Sequence, residues 1–214
     1  MVKAVLIDFD GTLVTKDMLS VVCGIVGREE ESDRLNKDFF AGKLKGLSAL
    51  IQRINFLKGV SLRQIQEKLD QDAYLAPGAK EFVDFLNHEG IISVLNSGNI
   101  LPVLTYYQKM LGITHIVGTH PKMDGDVIVG ISEEDFSEAN FKVAGVKKIL
   151  EVLRITGEEA LAIGDSPADK AMFEFAGTSI AFNPKSGIEE YADYVIADSL
   201  ANAIPIIRSL NRKS

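Results

Sequence analysis

Residues Ala4-Val5-Leu6-Ile7 form an unbroken apolar run that stops abruptly at Asp8-Phe9-Asp10-Gly11-Thr12. A strand with one face in water alternates apolar and polar side chains. A run that is apolar at every position needs cover on both faces, the condition of a strand inside a parallel sheet with helices above and below. Runs of similar character recur at Ile91 to Leu95, Ile113 to Val117, Ala160 to Ile163 and Thr178 to Phe182, with a last one around Tyr194-Val195-Ile196. Helical spacing separates them: Ala79, Phe82, Val83 and Leu86 before Gly90; Ile100 to Leu111 with Pro102 near its first turn; Val143, Val146, Leu150 and Leu153; Ala168, Ala171, Met172 and Phe175; and Leu200 to Leu210. This alternation predicts an α/β fold, a doubly wound and mainly parallel Rossmann-like sheet with helices on both faces.

Two segments interrupt the alternation. From Thr15 to Tyr74 there is no strand-like run, and Leu47, Leu50, Ile51 and Ile54 keep helical spacing until Pro77-Gly78 punctuates the chain. The predicted division is a core of residues 1–14 and 77–214 carrying an inserted α-helical cap of residues 15–76. Met123 to Val129 reads as a small β-hairpin with Asp-Gly in its turn. A chain of 214 residues has room for one such core plus a modest extra layer, since domains run to about 100–200 residues.

Thirty acidic against 23 basic side chains leave a formal charge of −7, which repels polyanions and argues against a nucleic-acid or anionic-membrane partner. The lone Cys23 has no intramolecular disulfide partner, and one cysteine with the scattered His88, His115 and His120 makes no zinc constellation. Both facts suit a reducing cytoplasm. The apolar run before Asp8 is too short for a signal peptide and far short of the roughly 20 residues that span a bilayer, so neither secretion nor membrane insertion is expected.

In an open parallel sheet, ligands bind beyond the carboxyl ends of the strands. Three of the predicted ends are polar: Asp8 and Asp10, then Asn96-Ser97-Gly98-Asn99, then Gly164-Asp165-Ser166-Pro167-Ala168-Asp169. Four carboxylates gathered at one crevice repel each other, and a hard cation with oxygen preference, Mg²⁺, relieves that repulsion. A cation, the ammonium of Lys142, the Ser97 hydroxyl and backbone N–H groups near Gly11 and Gly98 suit a phosphoryl dianion. With no Cys, His or activated Ser at a strand end, the nucleophile has to be a carboxylate; Asp8 is the candidate, and Asp10, on the same side if the backbone stays extended, is the general acid and base.

These residues are also where the chain resembles the haloacid dehalogenase superfamily of phosphohydrolases, along nearly its whole length. Asp8-Phe9-Asp10-Gly11-Thr12-Leu13-Val14 is similar to the first family motif, Ser97-Gly98 to the second, Lys142 to the third, and Gly164-Asp165 followed by Asp169 to the fourth. The resemblance implies Asp8 as nucleophile, Asp10 as acid and base, and Ser97 and Lys142 on the phosphate alongside Gly11, Thr12 and Gly98. It further implies Asp8, Asp10 and Asp165 around Mg²⁺, with Asp169 supporting the lysine and the metal waters.

The helical insertion resembles the first cap type of the superfamily, as in phosphoserine phosphatases. Within it Asp17 matches an acidic residue near a substrate amine, Phe40-Ala41-Gly42-Lys43-Leu44 a cap segment, and Arg53 an arginine that grips a substrate carboxylate, a geometry bidentate guanidinium pairing suits. The implied substrate is a small phosphomonoester, phosphoserine or a related carboxylate-bearing phosphate. Three departures stand against this: Asp17 is shorter than the usual Glu, Gly46 replaces a pocket aromatic, and Gly-Asp-Ser-Pro-Ala-Asp replaces Gly-Asp-Gly-x-Asn-Asp; the first two reshape the pocket for the alcohol portion.

Plainer readings stand beside these. Asp8, Asp10 and Asn99 suit turns, Asp169 suits a helix cap, and Lys147 or Lys148 could replace Lys142, although Lys142 fits the family spacing to Asp165. Arg53 at the edge of an apolar stripe equally suits a snorkelling surface residue. A phosphoaspartyl receiver-type module and a non-catalytic binding scaffold are the rival functions; the long insertion and the paired Asp8-x-Asp10 weigh against the receiver. The oligomeric state is not readable from the chain.

Overall fold

In the computed structural model, residues 1–44, 47–131 and 141–212 are described, the side chains of Phe40, Phe141 and Lys142 excepted. Six strands form a parallel sheet in the order β3-β2-β1-β6-β7-β8: β1 (Ala4–Asp8), β2 (Ile92–Ile100), β3 (His115–Thr119), β6 (Ala160–Gly164), β7 (Thr178–Phe182) and β8 (Tyr194–Ile196). The chain builds outward from β1 in one direction through β2 and β3, then returns to β6 on the other flank of β1 and builds outward again. The order therefore reverses between β1 and β6, which are paired with Ile7 opposite Ile163.

The continuous apolar runs are explained by this placement. Along β1, Val5 and Ile7 enter one core cluster with Phe82 of α5 (Ala79–His88), Leu104 of α6 (Leu101–Leu111) and Ile207 of α9 (Ala203–Arg212). The alternate residues Ala4 and Leu6 enter a second cluster with Val146 and Leu150 of α7 (Phe141–Leu153) and Met172 of α8 (Lys170–Phe175). Burying one such aliphatic side chain is worth about 1.5–3 kcal/mol, so each strand residue is stabilised on whichever face it meets.

Between β1 and α5 the insertion holds α1 (Met18–Cys23), α2 (Glu29–Phe40), α3 (Ser48–Phe56) and α4 (Leu62–Leu69). Its two ends are paired: the Thr15 amide donates to the Tyr74 carbonyl and the Ala76 amide to the Leu13 carbonyl, at 2.8 and 2.9 Å. Met18, Val22, Ile54 and Ile65 from this insertion continue the first core cluster. Among the described residues no helix is long and apolar enough to cross a membrane.

Several boundaries differ from the sequence reading. The second strand runs on through Asn96, Ser97, Gly98 and Asn99 to Ile100, with an irregular register against β3 over that stretch, because local side-chain to backbone bonds hold the polar segment extended. The third strand starts later, at His115. The hairpin of β4 (Pro121–Asp124) and β5 (Val127–Ile131) turns one residue further on: Asp124 pairs with Val127, and the loop is Gly125-Asp126, where Gly125 takes φ 58°. Residues Pro167–Asp169 form a 3₁₀ turn, so the helix expected from Ala168 starts at Lys170.

Candidate active site

Asp8 ends β1 and Asp165 follows the last residue of β6, so the reversal of strand order brings both to one crevice. One carboxylate oxygen from each of Asp8, Asp165 and Asp169 lies within 4.8 Å of the others, and all three residues are buried. Asp169 reaches this place by folding back: its Oδ2 accepts the amides of Asp165 and Ser166, both at 3.2 Å, and the Ser166 hydroxyl. The side chain thus closes the 3₁₀ turn of Pro167–Asp169 backwards onto Ser166 and makes no cap bond to the following helix, α8, which was the plainer role considered for it. Gly164 is required for it, since a Cβ there would sit 2.5 Å from the Asp169 Cγ. Gly11 is more constrained still, with φ at +93° and a would-be Cβ only 2.1 Å from Asp165 Oδ2.

The chain does not stay extended past Asp8. The amides of Thr12, Leu13 and Val14 all donate to the Phe9 carbonyl in a tight turn, and Asp10 is not one of the three grouped carboxylates. The expectation that Asp10 shares the side of Asp8 by strand parity is corrected accordingly: its Oδ1 accepts the Met18 amide at 2.8 Å and its Oδ2 accepts Asn99 Nδ2 at 3.4 Å, toward the helical insertion. Burial pushes the Asp10 carboxyl up to about 7, and the nearby negative charge of Asp17 adds to the rise against the opposing Met18 amide, Arg53 and Asn99. Three buried carboxylates therefore face one point, and a fourth, poised near neutrality, faces another.

Ser97 is buried in β2 and its Oγ accepts the Asn99 amide, leaving its hydroxyl proton to donate. The Thr12 hydroxyl is fully buried with no partner among the described residues. Gly98 gives its carbonyl to the Thr119 hydroxyl at 2.8 Å. Lys142 stands in the first turn of α7 and Phe40 at the end of α2, but both side chains, and Gly46 altogether, lie outside the described residues.

Two residues escaped the sequence reading. Lys185 places Nζ 2.6 Å from Asp165 Oδ2 while its own amide donates to the Asp165 carbonyl at 2.7 Å. Its signal was available, a lysine just beyond the carboxyl end of β7. Asn99, read as a turn former, instead reaches Asp10. Asp17 and Arg53 come together, though with each other: Arg53 is 6% exposed, so it does not snorkel, and its Nη2 lies 2.5 Å from both Asp17 carboxylate oxygens.

The donor set fits a hard divalent cation. Three carboxylates converge in a buried crevice where the Lys185 ammonium already meets one of them, which marks the spot as one that favours positive charge. The family model for haloacid dehalogenase-like hydrolases matches residues 5–174. The chain belongs to this family. Curated relatives cover nearly the full hydrolase chain: a phosphoserine phosphatase of Methanocaldococcus jannaschii is 28% identical over 91% of this chain and 92% of its own, and one of Campylobacter jejuni subsp. doylei is 26% identical over 92% and 94%. Among solved structures, a substrate-bound phosphoserine phosphatase superposes with a TM-score of 0.83 at 25% identity, covering 96% of this hydrolase and 98% of that chain. A phospho-aspartyl intermediate analogue of a phosphoserine phosphatase gives 0.81 at 26% identity with the same coverage.

Proposed function

We propose that this chain hydrolyses a small phosphomonoester with Mg²⁺ through a phosphorylated Asp8. An Asp8 oxygen attacks phosphorus, the P–O ester bond breaks, and the departing alkoxide takes its proton from Asp10. Asp10 then accepts a proton from water, which attacks the acyl phosphate; the P–O bond to Asp8 breaks and inorganic phosphate leaves. Ser97, Thr12, Lys142 and the amides near Gly98 donate to the phosphoryl oxygens; the Gly11 amide, expected among them, is taken by the Val14 carbonyl at 2.8 Å. Asp8 and Asp165, with the Asp10 carbonyl, would hold Mg²⁺, which offsets negative charge on the phosphoryl group, and Asp169 steadies the Asp165-Ser166 turn beside it.

The observation that supports this reading is a nucleophile inside a buried cluster of three carboxylates, with a fourth carboxyl, Asp10, two residues on in the turn after β1, held by Met18 and Asn99 and raised by burial. Residues 15–76, leaving and returning through one paired stem, act as the cap over residues 1–14 and 77–214, keeping bulk water from the acyl phosphate. The buried thiol of Cys23, outside any disulfide and donating to the Arg53 carbonyl, supports a cytoplasmic setting.

Phosphate release from small phosphomonoesters, with Mg²⁺ or EDTA, tests the reading in wild type and Asp8→Asn. Steady turnover that needs metal and vanishes in the variant is the expected result. Stoichiometric phosphorylation without turnover supports the receiver-type module instead, and binding without chemistry supports a scaffold.

A further inference from the structure

The Lys185 side chain is 62% exposed, yet its ammonium docks on the Asp165 carboxylate, which is 4% exposed. A lysine of that exposure ordinarily keeps its charged end in water. Here the loop after β7 draws it inward. The Lys185 amide donates to the Asp165 carbonyl at 2.7 Å while Nζ reaches Asp165 Oδ2 at 2.6 Å, so one residue clasps the other through backbone and side chain together. The loop is fastened at its start: the Asn183 amide donates to the Ile196 carbonyl and Asn183 Oδ1 accepts the Asp198 amide, at 3.0 and 3.1 Å. Asn183 and Ser186, on either side of Lys185, hold φ at 43° and 55°. That left-handed region is disfavoured for any residue with a side chain, least so for Asn, and persists only where surrounding contacts enforce it. Gly11 packs against the same pair, since a Cβ there would sit 2.1 Å from Asp165 Oδ2 and 2.9 Å from Lys185 Nζ.

We propose that Lys185 sets the ion selectivity of the acidic cluster: by holding Asp165 Oδ2 it leaves that carboxylate at most one oxygen for a cation, which suits Mg²⁺ and disfavours Ca²⁺. This rests on the metal-dependent reading above. Mg²⁺ takes an octahedron of single oxygens at about 2.0–2.1 Å and keeps several waters, whereas Ca²⁺ takes about six to eight oxygens at longer range and gains from a carboxylate that gives both. An ion straddling the two Asp165 oxygens shares Oδ2 with an ammonium, a like charge at bonding distance; an ion on the other oxygen alone does not. The two ions carry the same charge, so the general field of the lysine weakens both alike and cancels in the ratio of their affinities. The ratio reports how many oxygens Asp165 offers. Lys185 is accordingly a positioning residue that acts through Asp165.

Isothermal titration calorimetry of the metal-free protein, with Mg²⁺ alone and with Ca²⁺ alone, gives the ratio of the two dissociation constants. Lys185→Met keeps the aliphatic stem and drops the ammonium. It is expected to bind both ions more tightly and to move the ratio toward Ca²⁺ by about tenfold, the order by which ligand number and site charge tune such sites. A ratio that stays within about twofold of wild type, or moves toward Mg²⁺, overturns the proposal. Should the variant not fold, wild-type crystals grown with each ion decide: one Asp165 oxygen on either ion, with Lys185 still on Oδ2, is the expected result. Both Asp165 oxygens on Ca²⁺, or Lys185 displaced from Oδ2 by either ion, overturns it. A wild-type protein that neither binds Mg²⁺ nor releases phosphate from p-nitrophenyl phosphate in its presence overturns the metal-dependent phosphatase reading and this proposal with it. Mg²⁺ binding and turnover with an unmoved ratio in Lys185→Met overturns this proposal alone.

Discussion

Gly11 carries more of the site than its size suggests. It holds φ at +93°, and any side chain there meets Asp165 Oδ2 and the Lys185 ammonium at once. Gly11→Ala is expected to cost about 1–3 kcal/mol from backbone strain alone, read as a lower melting temperature, and to weaken Mg²⁺ binding because Asp165 must move. Unchanged metal affinity in a folded variant would argue that Asp165 does not hold the ion. Asp10 invites a different measurement. Its raised pKa has burial as the first cause and Asp17 as the second, so in the metal-free protein NMR titration is expected to place it near 7. Asp17→Asn removes a neighbouring negative charge and leaves Arg53 uncompensated; both changes favour the carboxylate, so the value falls. It stays above the ordinary 3.8, since the burial remains. A rise in that variant would contradict the assigned cause.

At the scale of elements, backbone bonds among the described residues fasten the insertion at a stem and at a seam. The stem pairs Val14 with Leu75, and a second seam joins the start of α4 to the hairpin: Gly59 donates to Ile128, Ile128 to Val60 and Leu62 to Asp126, at 2.8, 2.9 and 2.8 Å. Ser61 and Gln64 close a capping box at the same point. Leu62 is the first helical residue, and Ser61 before it is extended at φ −89° and ψ 157°, so proline suits the helix there while deleting the Leu62 amide. Leu62→Pro is therefore expected to loosen the seam alone, by about 1 kcal/mol, seen as faster amide exchange at Ile128 with α4 retained by circular dichroism. Exchange unaltered at Ile128 would show that the seam does not hold the hairpin.

At the scale of the whole molecule, the proposed cation would link fold stability to chemistry. A ligand that binds only the native state at a hundred times its dissociation constant adds about 2.7 kcal/mol, so under the proposed function Mg²⁺ is expected to raise the melting temperature and EDTA to reverse the rise; a melting temperature indifferent to both would argue against metal binding at the cluster. Lys185 compensates part of the acidic cluster without the ion. Lys185→Met is expected to lower the metal-free melting temperature and to enlarge the Mg²⁺-induced increment; a smaller increment would mean that the lysine assists metal binding. Much of this organisation was legible in the chain. An unbroken apolar run has one burial solution, so the strands, their flanking helices and the place of Asp8 and Asp165 beyond two strand ends followed from residue order alone, as did a helical insertion between β1 and α5. The direction of Asp10 did not, because three amides converging on the Phe9 carbonyl turn the backbone where parity assumed extension. Nor did the partnership of Asp17 with Arg53, 36 residues apart, or the reach of Lys185 to Asp165, 20 residues away. Local pattern determines which surfaces must be buried; which charges then meet is decided only when packing brings distant segments within hydrogen-bond distance, where electrostatic energy changes steeply with separation and burial.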